Sequence, residues 1–311
     1  MREAASHLPD YTCRVTLERS SRRTSRAQFE LSDRFRLEVA YTGGQELYAW
    51  PGDARFEADI ADLLPGRGMV TNGSYAMHMR NLFVRDVASF SAPRDERCDS
   101  RPCVRLDFEI PASRSGYSVS AGDAAAAVPL TGSAWFDADS LDILRLEVRV
   151  DRTPRSVRIA ATRETTVYSH ARIGEVDAVL PASSELVLHD RNGLEAKNHS
   201  TFDHYRRYSG SATIFYDATA PPPPAAPRPA PQPPPPTREL TATLDAALDT
   251  DAAIGDQVPL TTREGLRYTA RITSLRRAGP RWLIDLSLSS LTRTSLPLPV
   301  PAQTAIVFRK N

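Results

Sequence analysis

The sixteen residues from Pro221 to Pro236, PPPPAAPRPAPQPPPP, constrain the fold of this chain more than any other stretch. Eleven are proline, and none is an apolar side chain large enough to anchor a core. Proline fixes φ and removes the amide donor, so such a run joins neither a helix nor a sheet ladder. What remains open to it is a semi-rigid polyproline II spacer, which would span about 50 Å when extended. The chain is therefore expected to form two folded parts, residues 1–219 and 238–311, separated by a linker at 220–237.

Both parts carry the pattern of β structure. Tyr11, Cys13, Val15 and Leu17 alternate with Thr12, Arg14, Thr16 and Glu18, the period-two signature of a half-buried strand. Phe35, Leu37, Val39 and Tyr41 repeat it, and Gly43-Gly44 turns the chain back through Gln45–Trp50, which reads as an antiparallel hairpin. Val104, Leu106, Phe108 and Ile110 alternate in the same way. So do Leu144, Leu146, Val148 and Val150, after a turn at Ala138-Asp139-Ser140. Val157, Ile159 and Ala161 begin a strand toward Tyr168, and the alanine-rich stretch 121–127 reads as a loop.

Around Asn192-Gly193 the spacing decides a register. A two-residue turn would set Leu186 and Leu188 against His199 and Lys197, a poor core. A three-residue turn at Arg191-Asn192-Gly193 instead gathers Leu186, Leu188, Leu194, Ala196 and Phe202 on one face.

Two stretches break the period. Phe56, Ile60, Leu63 and Leu64, after Asp53 and before Pro65-Gly66, predict a short helix over 53–65. Tyr75, Met79, Leu82, Phe83 and Val87, capped by Ser74, predict a second over 74–87. Beyond the linker, Leu240 to Leu248, Leu266 to Ile272, Trp282 to Leu288 and Ile306 with Phe308 predict a small all-β module of about five strands.

Composition narrows the function. Apolar residues make up 41% and charged residues 25%, with a net charge of +1, so no global field draws the chain to nucleic acid or to a membrane. The 39 basic residues are arginine except for Lys197 and Lys310, but 38 acids are interspersed with them. Arg14, Arg19, Arg22, Arg23 and Arg26 lack the interleaved aromatics of a nucleic-acid platform. There is no run of 18 apolar residues to span a membrane, and Met1–Asp10 has no apolar stretch of the signal-peptide kind. Cys98 and Cys103 bracket a short polar turn and are candidates for a disulfide, hence for an oxidising compartment; Cys13 falls on the inward face of its strand.

The sequence contains no G-x-S-x-G, glycine-rich phosphate loop, H-E-x-x-H or dinucleotide fingerprint. In the three-residue register His189 pairs with Glu195 and His199 with Glu185, about 13 Å apart at strand rise and too far to share a metal. Asp137, Asp139 and Asp142 lack the glycine and glutamate of a calcium loop, so a hairpin turn explains them better. The expectation is a protein that is not an enzyme and has no cofactor or metal.

The order of strands and helices, with the hairpin GSAWFDADSLDILRLEVRV from Gly132 to Val150, resembles the outer-membrane lipoprotein carriers over Tyr11 to Tyr216. That resemblance implies a curved antiparallel sheet or half-barrel with two short helices packed on one face and a cavity for acyl chains between them. It implies a periplasmic or cell-envelope binding protein for a lipid or other apolar small molecule. The candidate lining is Tyr75, Met79, Leu82 and Phe83 with the sheet aromatics Trp50, Phe108 and Trp135, and the C-terminal module is a candidate contact for an envelope protein. The competing expectation is a two-module interaction scaffold in which the helices fill the concavity and leave no cavity.

Overall fold

Period-two alternation becomes one eleven-stranded antiparallel sheet in the first of the two units into which the chain divides, Met1–Arg207 and Tyr208–Asn311. The computed structural model describes residues 10–58, 60–64, 78, 80–85, 87–121, 124–208 and 239–310. The proline-rich stretch lies outside them. The first unit contains β1 (Tyr11–Arg22), β2 (Glu30–Thr42), β3 (Gln45–Ala49), β4 (Ser89–Phe90), β5 (Arg94–Cys98) and β6 (Arg101–Ile110). It continues with β7 (Ser118–Ala121), β8 (Ala124–Ala127), β9 (Leu130–Asp137), β10 (Ile143–Val150), β11 (Ile159–Ile173), β12 (Val176–Asp190) and β13 (Glu195–Arg207). The curved sheet runs β3-β2-β1-β13-β12-β11-β10-β9-β6-β4, with β5 on β6.

Register places one continuous row of side chains on a single face. Phe35 lies opposite Leu17, Leu17 opposite Ser200, Ser200 opposite Ser184 and Ser184 opposite Thr166. Thr166 then meets Leu146, Leu146 meets Ala134 and Ala134 meets Leu106. This is the inward face. At one end Val15, Leu17, Leu37 and Val39 line a cleft together with Ile60. At the other, Leu82 is buried among Phe108, Ile110, Phe136 and Leu146.

The helical expectations are shortened. Within 53–65 the chain makes one 3-10 turn, Ile60–Asp62. Helix cannot start at Asp53, because Glu57 exchanges both backbone hydrogen bonds with Tyr48 at 2.7 and 2.8 Å and is held as an isolated β-bridge. Within 74–87 the described residues form a π-helical turn at Arg80–Val84, with His78 helical before it. The alanine-rich stretch is not a loop: β7 and β8 pair as a two-stranded sheet.

The three-residue turn holds. His189 pairs with Glu195 and Leu186 with Asn198, and Gly193 takes φ +84°. Leu194, expected on the inward face from its spacing, is instead exposed beside the turn. Cys98 and Cys103 form a disulfide across the β5–β6 turn, and Cys13 is a buried free thiol.

The second unit is a closed six-stranded barrel. Its strands are β14 (Glu239–Leu244), β15 (Gln257–Thr262), β16 (Arg267–Ala278), β17 (Arg281–Leu288), β18 (Leu291–Pro297) and β19 (Ala305–Arg309). Leu244, Leu260, Ile272, Ile284, Leu286 and Phe308 fill its interior and expose no surface, and closure removes the strand edges that a small sheet would otherwise present. β15 and β18 are not among the four stretches read from the sequence; Leu291–Pro297 buries only its first residue and Leu296, without clean alternation.

Gly132 sits where the Phe108 ring crosses β9, and a Cβ there would overlap both that ring and the Glu147 carbonyl oxygen. Gly132→Ala should therefore destabilise the first unit by about 1–3 kcal/mol in chemical denaturation. The disulfide joins residues five apart, so reducing it should lower stability by about 2 kcal/mol on the loop-entropy account, read as a shift in denaturation midpoint with and without reductant.

Candidate functional site: the inward face of the sheet

The inward positions change character across the sheet. On β1 and β2 they are Val15, Leu17, Leu37 and Val39, and on β10, β9 and β6 they include Leu146, Val148, Ala134, Phe108 and Ile110. The three central strands instead point Thr162, Glu164 and Thr166 of β11, Ser184 of β12 and Asn198 of β13 into the same interior, each buried. A polar band thus crosses a face that is apolar on both sides.

Between β1–β2 and this band lies a cleft. Seven of its twelve lining residues are apolar: Val15, Leu17, Leu37, Val39, Ile60, Leu186 and Phe202; the others are Glu46, Tyr48, Ser184, Asn198 and Ser200. Its empty space is about 510 Å³ with the solvent-open part included, yet the freely accessible interior is only about 30 Å³, room for one or two waters. The cleft is a narrow slot. Glu46 is buried and accepts a hydrogen bond from the Tyr48 hydroxyl at 2.9 Å.

At the centre of the band His78 is buried against the sheet. Its ring stacks on Tyr117 with centroids 5.8 Å apart, and its Nε2 lies 3.4 Å from Glu164 Oε2. The Ser184 hydroxyl donates to Glu164 Oε1 at 3.4 Å, and Thr166 Oγ1 donates to Ser184 Oγ at 3.5 Å. The Tyr168 hydroxyl, also buried, has no hydrogen-bond partner among the described residues. Burial pushes the Tyr168 phenol up, and the Glu164 and Glu46 carboxylates push it further. Tyr117 rises by burial and Glu164, and Tyr11 and Cys13 rise by burial and then Glu46. All four groups stay protonated at neutral pH. The Cys13 thiol is therefore no nucleophile.

The sequence-predicted lining divides among several places. Leu82, Phe83 and Phe108 lie at the β6–β9 end, where Phe83 and Phe136 meet edge-on at 5.9 Å. Trp50 is at the other end of the sheet, 6.5 Å from Phe35. Trp135 does not join them. Strand alternation turns it to the opposite face from Ala134, where the Arg105 and Arg145 guanidinium groups lie 5.1 and 3.8 Å from its ring and its Nε1 donates to Glu96 at 2.9 Å. Tyr75 and Met79 lie outside the described residues. None of the five described residues lines the cleft.

The remaining polar groups are turn and surface chemistry. Asp137 Oδ1 accepts the amides of Ser140 and Asp139 at 3.2 and 3.0 Å, which hold its carboxyl below the usual range. His189 contacts Glu195 at 3.6 Å, and His199 pairs in register with Glu185. Among the described residues no group of three or more His, Cys, Asp or Glu could hold a metal ion, and no helix is long and apolar enough to cross a membrane.

No protein-family model matches the chain, and no curated protein matches it. Among solved structures it is similar to a LolA superfamily protein from Nitrosomonas europaea, with 10% identity, 69% of this chain and 94% of that chain covered, and a TM-score of 0.31.

Strand alternation in the sequence does not reveal Glu164, because a bulge between Ile159 and Ala161 shifts the parity of β11. Ile159 faces inward, and after the bulge the even positions do. Glu164→Ala would leave the His78 ring and the Ser184 hydroxyl buried without their acceptor. It should cost about 1–3 kcal/mol in urea denaturation, and a double-mutant cycle with His78→Phe should show non-additive losses.

Proposed function

We propose that the first unit is a non-enzymatic binding module that holds a lipid or other apolar ligand against the inward face of its sheet. The observation that carries this reading is the slot over β1 and β2, lined by Val15, Leu17, Leu37 and Val39 with Ile60. Ligand pockets of this kind are mostly apolar with a few convergent polar groups.

Ile60–Asp62 is a single 3-10 turn, tied internally by the Leu63 and Leu64 amides to the Ile60 carbonyl at 3.1 and 3.2 Å. Leu82, Phe83 and Phe108 close the far end of the interior and Trp50 the near one, while Trp135 takes no part. The disulfide supports an oxidising, extracytoplasmic setting such as the cell envelope.

The small accessible interior favours a second reading, a two-module interaction scaffold whose concavity is already full. Native mass spectrometry of the purified chain, with and without organic extraction, separates the two. Co-purifying acyl species, depleted at least tenfold in a folded Leu17→Arg variant, are the expected result, since a buried charge in the slot has no compensating partner. A bare protein mass, with no hydrophobic dye taken up, would overturn ligand binding and leave the scaffold.

A further inference from the structure

Binding of an apolar ligand does not by itself account for the polar middle of the inward face. A face that only had to be covered would be cheaper to build from aliphatic residues, because each buried hydroxyl, amide or carboxylate loses its hydration and has to recover it inside. Around Glu164 the recovery is by long contacts. The contacts of Glu164 with His78 and Ser184 are 3.4 Å and that of Thr166 with Ser184 is 3.5 Å, all at the long limit of a hydrogen bond. The Tyr168 hydroxyl, on the same strand, has no partner among the described residues.

One of these groups, Ser184, opens into the slot together with its neighbour Ser200. Ser184 and Ser200 are a directly opposed cross-strand pair, and both belong to its lining. They sit at the boundary where the apolar wall of β1, from Leu17, meets the polar band. A ligand lying on Val15 and Leu17 therefore has its next atoms over two serine hydroxyls. Just beyond them Glu164, an acceptor when ionised, stands behind Ser184. The charge pattern is one-sided as well. The one ionisable carboxyl in the lining is Glu46, and no lysine or arginine is among the described lining residues.

Resting on the apolar-ligand reading, we infer that the ligand is an amphiphile whose polar part carries hydrogen-bond donors and no negative charge, and that Ser184 and Ser200 receive it. Hydroxyl donors, as on a glycerol or sugar headgroup, meet serine oxygens and a carboxylate acceptor. A carboxylate or phosphate headgroup would meet no cation among the described lining residues. Selectivity then arises as in any site built to hydrogen-bond a substrate hydroxyl: the analogue without it leaves buried polar groups unpaired.

Displacement of a bound hydrophobic dye from the full chain tests this with three probes of one acyl length: monolaurin, methyl laurate and laurate at pH 8. Monolaurin should displace the dye at concentrations about tenfold lower than either of the others, the effect of one to two hydrogen bonds. In a Ser184→Ala/Ser200→Ala variant, shown to be folded by circular dichroism, the ratio of monolaurin to methyl laurate should fall toward one. Equal displacement by monolaurin and methyl laurate in the native protein, or preference for laurate, overturns the inference and leaves the apolar-ligand reading standing. If none of the three displaces the dye and none binds in native mass spectrometry, the apolar-ligand reading falls and this inference with it.

Discussion

Everything on the inward face depends on the pairing of the first strand of the unit with its last. β1 and β13 run antiparallel from Tyr11 against Arg207 to Arg22 against Glu195. That ladder sets Val15 beside Phe202 and Leu17 beside Ser200. Without it, β1–β3 would be a separate meander with one uncovered face, and the slot would have no second wall. The closure is long-range and carries a corresponding loop entropy, which grows only slowly with separation. Backbone hydrogen bonds and the burial of Cys13, Val15 and Leu17 offset that entropy. The ion pairs across the junction contribute less: Arg14–Asp203 is exposed and worth little, while Arg22–Glu195 is better shielded.

A sheet joined in this way has a wide interior face, which the described residues cover unevenly. At the β6–β9 end coverage is dense, with Phe83, Phe90, Phe108 and Phe136 in a chain of ring contacts between 5.9 and 6.3 Å. Gly132 makes room for the Phe108 ring. Over β1 and β2 the described residues place Ile60, from a single 3-10 turn, in the lining of the cleft. Between the two lies the polar band with His78 resting on Glu164. Within the band, Glu164, His78, Ser184 and Thr166 are joined by contacts of 3.4 to 3.5 Å, and the Tyr168 hydroxyl has no partner among the described residues.

Much of the sheet is legible from alternation alone. The inward sets of β1 and β2 stand out because their outward neighbours are charged or polar. The β12–β13 register follows from asking which turn length keeps Leu186 and Leu188 with other apolar residues. β11 is harder. Thr162, Glu164 and Thr166 face inward and Arg163 and Thr165 do not, a distinction that hydropathy alone does not make; the bulge near Ala161 decides it. The helices are over-predicted for a similar reason. Phe56, Ile60, Leu63 and Leu64 have helical spacing, but Glu57 bonds to Tyr48 and holds the first half extended.

By itself the sequence determined the β character of both units, the β12–β13 turn and the cysteine pair near enough to bridge. Each of these is local: strand period, turn length and short loop closure act within a few residues. The tertiary structure decided the rest. It turned Trp135 to the outer face between Arg105 and Arg145, brought Glu164 under His78 across 86 residues, and laid Ser200 next to Leu17. Those outcomes depend on register between strands far apart in the chain, and a one-residue shift of parity moves every side chain of a strand to the other face.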